Sequence, residues 1–257
     1  MTDWSCKGEK KMIEPLIQKL LQLRLKAFAR DLEQALAMAA QKNWSTLHTL
    51  EHLANLELEA RNQNRIQLYF KNSKLTDQPT IDQFDFNYHP SRKKQKQLIQ
   101  NLMELDFITH KKDIIMIGNP GVGKTLLAKC IAYAATRQAI KVLVTSAMDM
   151  INHLAAAEAD RSLVKKLITY TAPELLVLDE VGYLPLGKQG SNLFFQVIST
   201  RHEKKSTLIT TNLPFADWGS IFDSTIVATA IADRLVHNSE VIILEGKSYR
   251  QKPKNNQ

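Results

Sequence analysis

The sequence predicts an α/β protein: a doubly wound, parallel, five-stranded sheet preceded by a small all-helical unit. Three observations point there. Five short apolar runs alternate with helical stretches after Asp113. The N-terminal part, roughly 75 residues, carries helical periodicity. A glycine-rich octapeptide joins the first apolar run to the helix behind it. Continuous apolar runs separated by helices are the pattern of strands buried on both faces, which parallel sheets require.

Along the chain, the apolar positions Ile13, Leu16 or Ile17, Leu20, Phe28, Leu32, Leu36 and Ala39 recur at helical steps. They predict one amphipathic helix over residues 12–42, with Pro15 in the first turn, where its missing N–H costs nothing. A second helix is expected over "STLHTLEHLANLELEARNQNRIQLYF", capped by Ser45 or Thr46, with Leu47, Leu50, Ala54, Leu58 and Ile66 on its buried stripe. Residues 1–75 are thus expected to form a helical domain. Residues 76–92, with their prolines, acids and aromatics, keep neither helical period nor alternation. They read as a connector anchored by Phe84 and Phe86. Residues 93–257 carry the expected strands "DIIMIG", "KVLVTS", "ELLVLD", "STLITTN" and "EVIILE".

Bulk properties bound the function. Apolar content of 44% and charged content of 23% are those of a globular chain. No apolar run is long enough to span a bilayer, and "MTDWSCKGEK" lacks the order of a secretory signal. The two cysteines, Cys6 and Cys130, form no CxxC pair, so a disulfide framework or metal cluster is not expected. A cytoplasmic location without membrane contact follows as the expectation. A formal charge of +8 favours polyanionic partners.

The octapeptide "GNPGVGKT" matches G-x-x-x-x-G-K-[ST] in full, between a strand and a helix, which is the context that motif requires. Gly118, Gly121 and Gly123 let the backbone curl so that N–H groups face phosphate oxygens. Lys124 neutralises the outer phosphates and Thr125 offers a hydroxyl to a metal. The nucleotide-binding set expected is Gly118, Asn119, Pro120, Gly121, Val122, Gly123, Lys124, Thr125 and Leu126, for ATP with magnesium (Mg2+).

Given a triphosphate, "ELLVLDE" acquires a meaning. A strand ending in Asp179 delivers a carboxylate to the metal, and Glu180 can orient or deprotonate an attacking water. Alone, the two acids would read as turn punctuation. Adjacent acids also favour an ATPase over a metabolic kinase, which gains nothing by activating water. "STLITTNLP" ends in Asn212, either a turn residue before Pro214 or an amide that polarises the same water. In "AIADRLVHN", Arg234 is either a surface ion pair with Asp233 or Asp223 or an arginine reaching a neighbouring subunit's nucleotide.

With these elements in order, the chain resembles the IstB-like ATP-binding proteins of insertion sequences, in the AAA+ group of P-loop NTPases that includes the DnaC helicase loaders. The resemblance rests on "GNPGVGKT", "LLVLDEVGYLPL", "LFFQVISTRHEKKSTLITTNLPFADW", "ADRLVH" and "GKSYR". It implies an ATPase that forms a homo-oligomer on duplex DNA and assists a transposase, or integrase, in transposition. It further implies Asn212 as a first sensor, Arg234 as a finger acting in trans, and Arg250 as a second sensor. Leu126 stands where such proteins often carry His, and "RQAIKVL" lacks the glycine usual before the second strand.

Weaker signals remain. "HTLEH" fits a zinc-peptidase pattern, but Leu47 and Leu50 on the expected buried stripe leave both histidines on a polar face. The runs "SRKKQKQ" and "RNQNRIQLYFKNSK", with Lys165 and Lys166, are candidates for DNA-phosphate contacts. A helicase loader shares every core motif and is the nearest alternative. A nucleotide-gated switch with negligible hydrolysis is another.

Overall fold

The computed structural model describes residues 4–249, with side chains from residue 13 onward. The chain divides into two compact units, the first ending at Gln67 and the second starting at Leu68.

The first unit is helical: α1 (Trp4–Gln22), α2 (Lys26–Lys42) and most of α3 (Thr46–Asn72). The single helix expected over residues 12–42 is two. Arg24 takes a left-handed conformation (φ 60°), and the Leu25 N–H returns to the Leu20 carbonyl at 2.9 Å, closing α1. Leu20 and Phe28 are eight residues apart, so the helical spacing runs across the break and conceals it. Because α1 begins at Trp4, Pro15 lies inside it rather than in its first turn.

The stripe expected on α3 is also displaced. Leu47, Leu50 and Leu58 are exposed, whereas Thr49, Leu53 and Glu57 are buried. Glu57 sets this rotation. Its carboxylate accepts the N–H groups of Ala27 (2.7 Å) and Phe28 (3.1 Å), capping α2 from another helix, and pairs with Arg61 at 2.7 Å. Leu20, Leu32 and Leu53 complete the core of this unit.

The second unit opens with short helices α4 (Pro90–Lys94), α5 (Lys96–Leu102) and α6 (Asp106–Thr109). Then follow β1 (Asp113–Gly118), α7 (Lys124–Arg137), β2 (Val142–Ser146), α8 (Ala147–Ala159), α9 (Leu163–Thr171) and β3 (Leu175–Val181). The chain continues through α10 (Gly187–Arg201), β4 (Ser206–Thr211), α11 (Thr225–His237) and β5 (Ser239–Leu244). All five strands are parallel, in the order β2-β3-β4-β1-β5. The five apolar runs therefore form one doubly wound sheet, as expected.

Strand residues alternate between two cores. Ile115, Leu176, Leu178 and Ile209 face α8, α10 and α11, while Ile114, Met116, Val177 and Leu208 face α7 and α5. Residues 76–92, expected as a connector, belong to the second unit. Phe84 is buried there in the α7-side core and Phe86 packs partly buried against it. Because β4 lies between β1 and β3, the C-terminal ends of those three strands share one edge of the sheet. In open α/β sheets ligands bind in that crevice.

The turn between α7 and β2 explains the missing glycine. Ala139 takes the left-handed conformation itself (φ 55°), and the Ile140 N–H bonds to the Ala135 carbonyl at 3.0 Å. A Cβ in that conformation is strained. Ala139→Gly should therefore stabilise the protein by about 0.5–1 kcal/mol, read by denaturant unfolding; unchanged or reduced stability would reject the strain.

Candidate functional site

The phosphate-loop motif joins β1 to α7. Gly121 (φ 82°) and Gly123 (φ 99°) are left-handed, and both are hemmed in. A Cβ on Gly123 would lie 2.6 Å from the Phe84 ring, and one on Gly121 would lie 2.1 Å from Ser248 Oγ. Glycine is required here by conformation and by space. Gly123 precedes α7 directly, so the unpaired N–H groups of the first helical turn open onto the loop. Lys124 Nζ donates to the carbonyls of Gly118 (2.6 Å) and Asn119 (3.0 Å), which keeps the ammonium inside the loop.

Thr125 Oγ1 donates to Asp179 Oδ1 at 3.0 Å, joining the first turn of α7 to the end of β3 across 54 residues of sequence. Both are hard oxygen donors of the kind a magnesium ion would take. Thr210 on β4 completes the arrangement. Its buried hydroxyl donates to the same Asp179 oxygen and accepts the Glu180 N–H at 3.0 Å. Sequence reasoning missed Thr210, because a β-branched residue in a strand carries no signal beyond the strand itself.

Glu180 lies within β3 yet has φ 60°, and the β3–β4 register shifts between Leu178 and Val181. This is a bulge, the device by which a strand re-aims a side chain. A non-glycine residue held in this conformation costs on the order of 1–3 kcal/mol. The Glu180 side chain is exposed, and it borders a cavity of about 190 Å³ shared with Tyr183 and Leu184.

Asn212 follows β4 directly, between the ends of β1 and β3, and is half-buried. Arg234 on α11 donates to the Ala230 carbonyl at 2.8 Å and lies over the Phe195 ring at 4.7 Å. Among the described residues it forms no ion pair with Asp223 or Asp233. Arg250 lies outside the described residues.

A cavity of about 310 Å³ adjoins the loop, lined by Gly121, Lys124, Thr125 and Leu126 on one side and by Phe84 and Tyr249 on another. Its size is at the lower end of ligand pockets. Arg92, read in sequence as part of a basic run, is instead buried (2% exposed) beside this cavity, and burial pushes its guanidinium below its ordinary pKa. Lys93, Lys94 and Lys96 of the same run are exposed, as is Lys165, with Lys166 half-buried. Phe70 stacks edge-on against Tyr133 at 5.8 Å and is committed to the core. His48 and His52 flank Trp44 at 4.6 and 5.2 Å. Among the described residues, no three His, Cys, Asp or Glu side chains gather as a metal site.

A parallel sheet of this order, with a phosphate loop after β1 and an acid pair at the end of β3, defines a P-loop ATPase of the AAA+ class. The model of the family described as "IstB-like ATP binding protein" matches residues 18–257, and the chain belongs to that family. It is 35% identical to a protein of Bacillus thuringiensis subsp. berliner named for ATP binding in insertion sequence IS232, over 95% of this chain and 96% of the relative. The corresponding protein of insertion sequence IS5376 from Geobacillus stearothermophilus is 38% identical, over 84% of this chain and 85% of its own. Among solved structures, the DnaC helicase loader is similar with a TM-score of 0.53 and 24% identity, over 68% of this chain and 98% of that one. AMPPCP-bound DnaA from Aquifex aeolicus is similar with a TM-score of 0.57 and 18% identity, over 69% of this chain and 53% of that one. These two likenesses show the fold. No helix of the described residues is long and apolar enough to cross a membrane.

Proposed function

We propose that this chain is the helper ATPase of an insertion sequence, assembling on duplex DNA with ATP bound and passing the site to its transposase. The observation that carries this reading is the match to insertion-sequence relatives over nearly the whole chain. The fold likeness to the DnaC loader bears on architecture, so helicase loading is not favoured by it.

In this reading the loop from Gly118 to Leu126 cradles the phosphates. Its N–H groups and the α7 N-terminus meet the oxygens, and Lys124 balances the outer charge. Thr125 and Asp179 would hold magnesium, which when present neutralises charge on the phosphate oxygens. Glu180, aimed by its bulge, orients the attacking water and accepts its proton. Asn212 steadies the same water from the end of β4. Arg234 serves the nucleotide of a neighbouring copy, and its place on the Phe195 ring rather than in an ion pair leaves it available for that role.

DNA would be gripped through phosphates by exposed side chains such as Arg65, Lys71, Lys93, Lys94 and Lys96. The net charge of +8 supports this mode. Affinity of that kind falls steeply with salt and carries little base specificity.

Strand transfer by an insertion-sequence transposase, assayed with and without this chain, tests the function. Stimulation that needs ATP and is lost in Lys124→Ala is expected. Stimulation undiminished in Lys124→Ala would reject nucleotide-driven assembly. Capture of a replicative helicase with no effect on strand transfer would favour the loader instead.

A further inference from the structure

Arg92 is a buried charge that the proposed chemistry does not use. Its Nη2 donates to the Val122 carbonyl within the phosphate loop at 2.8 Å, and its Nη1 donates to the Asp85 carbonyl at 3.0 Å. The guanidinium lies 4.5, 4.9 and 5.2 Å from the ring centroids of Phe84, Tyr88 and Tyr249. Its Nε is buried with no hydrogen-bond partner among the described residues. A cation in such surroundings is expensive, and its contacts explain where the return lies.

Two segments remote in sequence close around it. Ser91 Oγ donates to the Glu245 carbonyl at 3.2 Å and accepts the Glu245 N–H at 2.9 Å. The Tyr88 hydroxyl donates to the Ser248 carbonyl at 3.2 Å, and the Tyr249 N–H donates to the Gly121 carbonyl at 2.9 Å. Two successive carbonyls of the phosphate loop, those of Gly121 and Val122, are therefore held by this clasp. In a trans peptide the C=O and the following N–H point in opposite directions. Arg92 on the Val122 carbonyl thus sets the direction of the Gly123 N–H.

We propose that Arg92 is a positioning residue for phosphate binding: with the clasp of residues 85–92 and 245–249, it holds the loop carbonyls so that the loop N–H groups stay aimed at the nucleotide's phosphates. This rests on the phosphate-site reading of the loop. It assigns Arg92 no contact with the reacting atoms.

The test measures binding of a fluorescent ADP analogue to the full chain, and its displacement by inorganic pyrophosphate, for the wild type, Arg92→Gln and Arg92→Lys. Arg92→Gln should weaken the ADP analogue and pyrophosphate alike, by about tenfold or more. Arg92→Lys keeps the charge but has one nitrogen for two carbonyls, and should fall between the two. Weakened ADP with unchanged pyrophosphate would place the effect on the nucleoside and overturn the proposal, as would unchanged affinity for both. Should Arg92→Gln fail to fold, Ser91→Ala opens the clasp away from the loop and should weaken both ligands about two- to fivefold. No binding of either ligand by the wild type would overturn the phosphate-site reading, and this proposal with it.

Discussion

Glu180→Gln is expected to lower ATP turnover by about 100-fold or more while leaving nucleotide affinity within about threefold. The substitution is nearly isosteric. It keeps the Glu180 N–H on Thr210 Oγ1 at 3.0 Å and asks the same left-handed backbone of the new residue. The bulge in β3 and the Asp179 contacts with Thr125 and Thr210 are therefore preserved. Only the carboxylate that would take the water's proton is lost. Steady-state phosphate release, with equilibrium binding of a fluorescent ATP analogue, separates the two effects. Turnover within about twofold of wild type would remove Glu180 from the chemistry. Equal loss of binding and turnover would assign it to positioning the nucleotide instead.

Arg201→Ala should have the largest effect on stability. Arg201 is 1% exposed at the end of α10 and donates to the carbonyls of Tyr170 (3.0 Å) and Pro173 (2.8 Å) and to Thr207 Oγ1 (3.1 Å). It ties the loop before β3 to the start of β4, the opposite end of the sheet from the nucleotide. Its removal leaves those groups buried without partners. A loss of about 3–5 kcal/mol is expected, which lowers the melting temperature of a unit this size by roughly 10 °C. A change under about 1 kcal/mol would show that relaxation or water replaces the network.

Asp113 sits in the same region and shares the consequence. Burial pushes its pKa up to about 7, although the Thr207 N–H (2.6 Å) and the Arg201 charge both oppose the rise. A carboxyl whose folded pKa exceeds its unfolded value binds a proton on folding. Its contribution is complete below about pH 4 and is lost as pH rises through about 7. Asp113→Asn keeps an acceptor for Thr207 and removes that slope. It should gain stability relative to wild type between pH 5 and pH 8, by at most about 4 kcal/mol. A wild-type melting temperature that is flat or rises over that interval would contradict the shift.

The sheet was legible because each buried strand is written as a continuous apolar run between helices, and the phosphate loop because its spacing and context are specific. The helical unit was less so. Arg24 breaks the first helix in a conformation no residue type announces, and Glu57 turns the α3 stripe by capping a helix 30 residues away. Both are tertiary effects with no local trace. The same holds around the loop. Asp179 and Thr125 were visible as motif members, whereas Thr210, which joins Asp179 to Glu180, looks like any strand threonine. Arg92 sits in a run of lysines that reads as a solvated face, and only the fold reveals that its neighbours point outward while it turns under the loop. Ala139 is the reverse case, a visible departure from the family pattern that the backbone accommodates with strain rather than with a different turn.

Nucleotide-driven assembly on DNA is the central step of the proposed function. The most direct measurement is the mass of the complex formed on a duplex fragment by the wild-type chain with magnesium and ATP, with magnesium and ADP, or without nucleotide, at fixed salt. A DNA-bound oligomer is expected with ATP, dissolving as ATP is hydrolysed, and little beyond weak single-copy binding in the other two. Complexes of the same mass in all three conditions would contradict it.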